Sequence, residues 1–409
     1  MSALRIGYFL ETVTRQGGGF QQSLSTINAI ADAMPEYEVV VLTPHRDNIS
    51  MLHNAGWRAE LYSAGWRGKL DGIQALSLPL DYAFDFLRGL GFRRLGRNLD
   101  FRLKELGVDI AIFNVFTTAL RLADHPYVVT VWDLCHRDLP EFPGVSLGRR
   151  FERREASLRM ALPKAVAVVA NCDSESERIA RIYGVDPKRI IILPFLPSVA
   201  VRRHVEGRGT TTLEAVRARY GLPQDYVYYP AQFCADKNHV YLLDALVAAE
   251  MKYGLRLDAV FTGWDTGNRA HVEEYVRRAG LTERVRFLGF VEEGEVPALY
   301  EGARALTMPT YGGPTNLPPL EAAAIGCPVV YSDFPEFRKF MGDAALYCDL
   351  KDPQSLACHL NVLLTDGVLA ERQRQAGKRM VAELGQRQYV EALKPIMDDF
   401  AYVRRRWSR

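Results

Sequence analysis

The chain has 409 residues, of which 48% are hydrophobic and 24% charged, and its formal net charge is +2. This composition excludes a collagen-like or mostly disordered chain, and the near balance of charge provides no global field that would attract nucleic acid. Any charged site must therefore be local. The length predicts two or three domains, and we expect two.

The cysteines and the N-terminus indicate the compartment. The start, MSALRIGYFLE, has too short an apolar run for a signal peptide, and no stretch reaches the length needed to span a bilayer. The six cysteines are scattered and lack metal-ligand spacing, which is typical of buried thiols in a reducing compartment: Cys135, Cys172, Cys234, Cys327, Cys348 and Cys358. We therefore expect a cytoplasmic protein without a metal site.

Short apolar runs alternate with segments of helical period, which predicts βα units and a parallel sheet. In the first half we expect strands at 5–10, 38–42, 109–113, 127–132, 165–170 and 189–193. In the second half we expect strands at 226–231, 256–262, 285–288, 305–308, 328–331 and 345–347. Ser174 followed by Glu177 predicts a capping box that opens a helix at 174–183.

Between Pro194 and Thr212 the sequence loses its apolar period and indicates a connection between domains. The fold class expected is therefore α/β, with two successive doubly wound, Rossmann-like domains. Such sheets bind ligands at the carboxyl ends of their strands. We expect the active site in a cleft between the two domains.

The first segment whose residues can bind a ligand is QGGGF, which follows the first strand and directly precedes a helix. Unpaired amides at a helix N-terminus and the positive end of the helix dipole favour an anion such as a diphosphate. A tight turn that needs positive φ explains the same glycines. The segment alone does not decide between these interpretations.

The second segment is YYPAQFCADKNH, in which Lys237 stands between a strand and a helix. A lysine in that position can stabilise the negative charge that develops on a departing diphosphate. A solvated surface lysine explains the residue equally simply.

The third segment, TMPTYGGPTNLPPLEAAAIGCPVVYSD, places Thr315, Asn316 and Leu317 at the start of a predicted helix. Their amides can face a ligand, and Glu321, about one turn further on, can accept hydrogen bonds from a ribose diol. The alternative is a glutamate favoured only by the helix dipole.

In order and spacing these segments resemble the retaining glycosyltransferases of family 4, which have the GT-B fold of two Rossmann-like domains facing a central cleft. The resemblance extends over nearly the whole chain and includes VVTVWDLCHRDLPEFP, FTGWDTGNRAHVEEYVRRAGLTERVRFLGFV and GPTNLPPLEA. The branch that the chain resembles most contains mannosyl- and rhamnosyltransferases of bacterial surface polysaccharide assembly. It implies an N-terminal acceptor domain at 1–197, a donor domain at 198–385 and a C-terminal helix at 386–409 that crosses back.

The resemblance also implies roles for individual residues. Gly18 and Gly19 match glycines near the donor diphosphate, Lys237 matches the phosphate-binding lysine, and Glu321 matches the ribose-binding glutamate. The remaining donor-side positions are Gln232, Gly263, Phe290, Thr315, Asn316 and Leu317. No cofactor is required, and the donor substrate is a nucleoside diphosphate sugar, with a GDP-sugar such as GDP-mannose favoured.

Three residues depart from the family pattern. Gln232 stands where an arginine is usual, Gly313 where an acidic residue often touches the sugar, and Trp132 where a histidine is frequent. On the acceptor side we therefore assign Asp133 as the residue nearest the acceptor and His136 as a supporting group. The alternative for Asp133 is a capping role in the next turn.

Three basic segments suit contact with an anionic membrane and a lipid-linked acceptor. They are residues 82–104 and 148–163, which also contain aromatic and leucine residues, and the C-terminal YVRRRWSR. Core-packed helices with solvated arginines explain the same pattern.

Two other functions stay open. Because Gln232, Gly313 and Trp132 replace frequent functional residues, the chain could be a catalytically weak scaffold that binds nucleotide sugar in a polysaccharide assembly complex. A sugar-nucleotide epimerase also uses two Rossmann-like domains. The sequence lacks a recognisable pair of catalytic carboxylates for that reaction.

Overall fold

The computed structural model describes residues 4–11, 18–62, 98–114, 120, 124–313 and 315–407. The chain divides into two compact units. The first unit contains Met1–His136, Leu147–Pro194 and Gln386–Arg409, and the second contains Arg137–Ser146 and Phe195–Gly385. Residues 137–146 therefore group with the second unit, although the expected acceptor domain at 1–197 would include them.

The first unit is built on a parallel sheet with the strand order β3-β2-β1-β4-β5-β6-β7. Its strands are buried apolar runs such as YVVTV, as expected for a sheet covered by helices on both faces. The strands are β1 Arg5–Phe9, β2 Glu38–Thr43, β3 Ala59–Leu61, β4 Ile110–Phe113, β5 Tyr127–Val131, β6 Ala167–Ala170 and β7 Ile190–Ile192.

Helices connect these strands, and the C-terminal segment adds to the same unit. The helices are Gly18–Ala33, Arg46–Asn54, Asn98–Glu105, Cys135–Asp138, Arg150–Ala161, Asp173–Tyr183, Gln386–Gln388 and Lys394–Arg404, with a π-helical turn at Tyr389–Leu393. The last helix contacts the first unit through Arg404, whose Nε lies 3.3 Å from an Asp109 carboxylate oxygen. It also contacts that unit through Asp398, which accepts a hydrogen bond from the Tyr37 hydroxyl.

The second unit has its own parallel sheet, with the order β10-β9-β8-β11-β12-β13. The strands are β8 Tyr226–Pro230, β9 Asp258–Thr262, β10 Val285–Gly289, β11 Ala305–Met308, β12 Val329–Ser332 and β13 Leu346–Cys348. The helices are Pro143–Ser146, Val199–Val205, Leu213–Tyr220, His239–Tyr253, Arg269–Arg278, Val296–Gly302, Leu317–Ile325, Pro335–Met341, Pro353–Thr365 and Gly367–Ala382. In both sheets the strand order reverses beside the first strand of the unit, which is the arrangement of Rossmann-like domains.

The α/β class and the two Rossmann-like units confirm the fold predicted from the sequence. All twelve predicted strands are present, and the prediction missed β3, a three-residue edge strand. The predicted capping box is wrong: the helix begins at Asp173, its N-cap is Cys172, and Ser174 lies inside the first turn. The presumed connection at 194–212 contains the helix Val199–Val205, whose N-cap Ser198 accepts a hydrogen bond from the Val201 amide.

Candidate functional site

The candidate donor site lies at the carboxyl edge of the second sheet, where the strand order reverses between β8 and β11. Loop 231–238 follows β8, and loop 309–316 follows β11. The amide of Tyr311 donates to the carbonyl of Asp236 over 2.9 Å, which joins the two loops directly. This is the position at which open α/β sheets bind ligands.

Lys237 is held within this pair of loops. Its ammonium donates to the Thr310 hydroxyl over 3.2 Å and lies 3.0 Å from the Asp236 carboxylate. Burial raises the pKa of Asp236, but the charge of Lys237 and local hydrogen bonds outweigh it and leave this pKa below its usual value. The next residue, Asn238, has a φ of +52° and turns the chain into the helix His239–Tyr253. Lys237 is therefore a positioned cation and not a freely solvated one.

The helix Leu317–Ile325 begins where the sequence predicts, with Asn316 as its N-cap. The Asn316 side chain donates to the carbonyls of Gly312 and Gly313 over 3.4 and 3.3 Å, and so folds the preceding loop onto the helix start. The buried hydroxyl of Thr315 has no partner among the described residues. Because Pro318 and Pro319 lack an N–H, few amides remain in the first turn to bind an anion.

Glu321 is buried, with 6% of its surface exposed. Its carboxylate accepts hydrogen bonds from the Ser198 amide over 3.4 Å and from the Tyr300 hydroxyl over 3.0 Å. Burial raises the pKa of Glu321, and these hydrogen bonds only partly oppose the effect. A carboxylate can accept further hydrogen bonds beyond these two.

Glu293 is a carboxyl group beside Glu321 that the sequence analysis did not identify. Burial and then the negative charge of Glu321 raise the pKa of Glu293 to about 7, while Arg203 lowers it. One carboxylate oxygen of Glu293 is buried without a partner among the described residues. The loop after β10, which carries Glu293, therefore lies close to Glu321.

Gly263 allows neighbouring strand ends to come into close contact. Its amide donates to the Gly289 carbonyl over 2.9 Å, and its φ is +145°. A Cβ atom at this position would lie 2.1 Å from the Ala231 carbonyl oxygen, so only glycine fits. The expected donor residues Gln232 and Phe290 are both exposed, in the loops that follow β8 and β10.

The backbone conformation at Gly313 disfavours an acidic side chain at this position. Its φ is +94°, and an added Cβ would meet the Asn316 amide group at 3.0 Å. Side chains rarely adopt this backbone conformation. The loop in this chain is therefore built around glycine at this position.

In the first unit, Gly18 and Gly19 lie where expected, at the start of the helix Gly18–Ala33. The carbonyl of Gly19 accepts a hydrogen bond from the Ser23 hydroxyl over 2.9 Å. Gln16 and Gly17 of the glycine segment lie outside the described residues. The same is true of most of the basic segment at 82–104.

Asp133, also in the first unit, follows β5 and keeps 26% of its side chain exposed. It accepts hydrogen bonds from the Cys135 amide over 2.8 Å and from the Arg154 guanidinium over 3.0 Å. Burial raises the pKa of Asp133, but Arg154 and the Cys135 amide outweigh burial and hold this pKa below its usual value. Asp133 thus caps the next turn and also presents a partly exposed carboxylate.

His136 is 1% exposed, and its Nε2 lies 3.2 Å from the Glu155 carboxylate. Glu155 also accepts a hydrogen bond from the Tyr183 hydroxyl over 3.1 Å and pairs with Arg159 at 2.8 Å. Burial lowers the pKa of His136, which favours the neutral ring. The buried ring is placed to support the loop rather than to contact a substrate directly.

The helix Arg150–Ala161 thus holds both residues that are expected on the acceptor side. Its adjacent residues Arg154 and Glu155 bind Asp133 and His136 respectively. Sequence reasoning missed this pairing, since it weighed the basic segment at 148–163 only as a membrane-contacting surface or as a core-packed helix with solvated arginines. The alternation of arginine and glutamate in RFERRE was the only available signal.

No group of three or more His, Cys, Asp or Glu side chains among the described residues is arranged to hold a metal ion. Within the same residues, every helix is too short or too polar to cross a bilayer.

Comparison with known proteins identifies two family domains. Residues 18–195 match the model of a glycosyl transferase 4-like domain, and residues 214–380 match that of glycosyl transferases group 1. O-antigen chain mannosyltransferase B of Escherichia coli is 26% identical over 240 residues, which cover 58% of this chain and 61% of that protein. A D-inositol 3-phosphate glycosyltransferase of Salinispora tropica is 28% identical over 216 residues, which cover 50% of this chain and 44% of that protein.

These curated relatives are thus matched over roughly half of their length, whereas solved structures match over nearly the whole chain. Anabaena Alr3699/HepE in complex with UDP and glucose has a TM-score of 0.70 at 15% identity and covers 98% of this chain and 100% of its own. WaaG, a glycosyltransferase involved in lipopolysaccharide biosynthesis, has a TM-score of 0.66 at 15% identity and covers 92% of this chain and 95% of its own. With the two family models matched in succession, the chain belongs to the glycosyltransferases with the GT-B fold.

Proposed function

We propose that this chain transfers a glycosyl group from a nucleoside diphosphate sugar to a hydroxyl group of a glycan or lipid-linked acceptor. The observation that carries the proposal is the junction of loops 231–238 and 309–316, which positions Lys237 at the reversal point of the second sheet. That sheet lies in the region matched by the group 1 model. A cation held at this edge suits a diphosphate.

In the proposed reaction, the bond between the anomeric carbon and the diphosphate breaks, a bond from that carbon to the acceptor oxygen forms, and the proton of the acceptor hydroxyl passes to the departing diphosphate oxygen. Lys237 stabilises the negative charge that accumulates on the departing diphosphate. Glu321 accepts hydrogen bonds from the ribose hydroxyls through its remaining lone pairs. The amides around Asn316 contribute less, because two prolines follow in the first turn.

On the acceptor side we assign Asp133 to contact with the acceptor and His136 to support of its loop. The partly exposed carboxylate of Asp133, held ionised by Arg154, suits a group that orients a hydroxyl. The buried pair of His136 and Glu155 suits a supporting role.

The finer proposal is retaining transfer of a hexose or deoxyhexose, with GDP-mannose favoured, in surface polysaccharide assembly at the cytoplasmic face of a membrane. The named activity of the E. coli relative supports mannose, whereas the UDP and glucose complex of HepE makes a UDP-sugar the competing donor. Exposed Tyr402 and Trp407 beside Arg405 and Arg406 support peripheral contact with anionic lipid. Flotation with anionic liposomes tests that contact, and its absence would remove the membrane from the proposal.

The donor is tested by a thermal-shift panel of GDP-, UDP- and dTDP-sugars. A ligand at about one hundred times its Kd stabilises the folded protein by about 2.7 kcal/mol, so we expect a clear rise in Tm with GDP-mannose. NMR of the product then shows whether the anomeric configuration is retained. A panel in which no nucleotide sugar raises the Tm would contradict the proposed function.

A second candidate is a nucleotide-sugar-binding scaffold with little catalytic activity. Gln232 is exposed at the position of the family's arginine, and the backbone at Gly313 disfavours the acidic residue found elsewhere. Donor hydrolysis separates the two functions: tight donor binding without hydrolysis or transfer across an acceptor panel would favour the scaffold.

A further inference from the structure

Two aromatic side chains are exposed at the ends of neighbouring strands in the second unit. Trp264 directly follows Gly263 at the end of β9 and is 61% exposed, and Phe290 directly follows Gly289 at the end of β10 and is 45% exposed. The hydrogen bond from the Gly263 amide to the Gly289 carbonyl joins the two strand ends immediately before these residues. Single exposed apolar residues are common, but a pair at one ligand-binding edge indicates an interaction surface.

The backbone that carries Trp264 is held against loop 231–238. The Trp264 carbonyl accepts a hydrogen bond from the Phe233 amide over 2.9 Å, and the Phe233 carbonyl accepts one from the Thr266 hydroxyl, also over 2.9 Å. Phe233 is fully buried, so these bonds tie Trp264 to the core and to the loop that contains Lys237. The indole is therefore presented from a fixed backbone beside the proposed phosphate-binding loop.

The connection that follows Phe290 contacts Glu321. Tyr300, which donates to Glu321, belongs to the helix that follows β10. Glu293 lies on the same connection, between Phe290 and that helix, and burial together with the charge of Glu321 raises its pKa. Adjacent strand ends are about 5 Å apart, so the ends of β9 and β10 lie within reach of a nucleotide whose diphosphate is bound at Lys237.

We infer that Trp264 is a specificity-determining residue whose indole stacks on the nucleobase of the donor, with Phe290 bordering the same surface. The inference rests on the proposed function. Stacking of a base on an aromatic side chain tolerates any base, but its strength increases with the overlapping ring area. A two-ring indole favours a purine, so we expect GDP to gain more than UDP from Trp264.

The test measures calorimetric binding of GDP, UDP and inorganic pyrophosphate to the wild-type chain and to Trp264→Ala, Trp264→Phe and Met251→Ala. We expect Trp264→Ala to weaken nucleoside diphosphate binding roughly 5- to 100-fold, most strongly for GDP, and to leave pyrophosphate binding unchanged. Trp264→Phe should show a smaller loss. Met251→Ala, which removes another exposed apolar side chain of the same unit, should bind as the wild type does.

Tryptophan fluorescence adds an independent measurement. The chain has five tryptophans, and we expect GDP to quench the wild-type emission and to lose most of that effect in Trp264→Phe. Unchanged nucleotide affinity in Trp264→Ala would overturn the inference and leave the proposed function standing. An equal loss for pyrophosphate would also overturn it, because the substitution would then have disturbed the loop. Wild-type protein that binds neither nucleotide would contradict the proposed function itself.

Discussion

The two regions to which we assign function are held in different ways. In the second unit, loops 231–238, 263–268 and 309–316 are joined by main-chain hydrogen bonds, including those from Tyr311 to Asp236 and from Phe233 to Trp264. In the first unit, the loop that contains Asp133 and His136 is held by the charged side chains Arg154 and Glu155. Main-chain bonds are independent of pH and of surface charge, whereas ion pairs depend on both.

This difference predicts different sensitivities. The loops of the second unit should tolerate changes of charge and respond to changes of backbone conformation. The loop of the first unit should respond to removal of a charge and to acid. Four substitutions test this contrast, and they follow in order of decreasing expected loss.

Gly263→Ala should have the largest effect, with a loss of at least about 3 kcal/mol in the free energy of unfolding. The added Cβ would lie 2.1 Å from the Ala231 carbonyl oxygen, at a φ of +145°. Gly254→Ala is the control, because Gly254 has a φ of +65° with open space around its Cβ position. It should lose about 1 kcal/mol. Urea unfolding measures both, and equal losses would show that the contact of the strand ends does not depend on glycine.

Lys237→Ala should lower the rate of donor hydrolysis roughly 10- to 1,000-fold, because the departing diphosphate loses its positioned cation. The free energy of unfolding should fall by only about 1 kcal/mol, because Asp236 loses its ionic partner while main-chain bonds still hold the loops. Lys252→Ala removes an exposed lysine of the same unit and should retain the wild-type rate. An unchanged rate in Lys237→Ala would exclude the lysine from the mechanism.

Much of the second region could be predicted from the sequence because its order is local. Apolar runs mark the strands, and the helix start at Asn316 follows from a polar residue before prolines. The left-handed backbone at Gly263 and Gly313 explains why the sequence has glycine at each position. The identity of Glu293 as a neighbour of Glu321 could not be predicted, since the two lie on different connections and meet only in the folded unit.

The first region was less predictable because its side-chain partners are distant in sequence. Asp133 and Arg154 are 21 positions apart, and His136 and Glu155 are 19 apart. No periodicity in the sequence encodes such pairs. The same limitation explains the missed strand β3, whose three residues gain their strand conformation from pairing with β2.

Arg154→Met should reduce the free energy of unfolding by about 1 to 2 kcal/mol at pH 7, because it leaves the partly buried Asp133 carboxylate with one ionic partner fewer. Since the pKa of Asp133 is lowered in the folded chain, its ionisation stabilises the fold above the unfolded pKa and the effect is lost as pH falls. The difference from wild type should therefore shrink between pH 7 and pH 3.

The control for this substitution is Arg387→Met, which removes a surface pair with Glu391 in the same unit. Exposed pairs contribute little, so its effect should stay below about 0.5 kcal/mol at each pH. Urea unfolding at pH 7, 5 and 3 measures both variants. A loss that is the same at all three pH values would contradict a role for Arg154 through the charge of Asp133.

Glu293→Gln should cause no loss of stability but a gain, and it tests a buried carboxyl group of the second region. The folded-state pKa of about 7 exceeds the ordinary value of 4.5, so the unfolded chain releases this proton first as pH rises. Glu293 therefore destabilises the fold increasingly between about pH 5 and pH 8. The neutral amide removes that penalty, so the variant should exceed wild type by about 3 kcal/mol at pH 8 and by less than about 1 kcal/mol at pH 5. Glu292→Gln, at an exposed neighbouring position, should leave the pH profile unchanged. A Glu293→Gln profile that stays parallel to wild type from pH 5 to pH 8 would show that main-chain bonds alone govern this region.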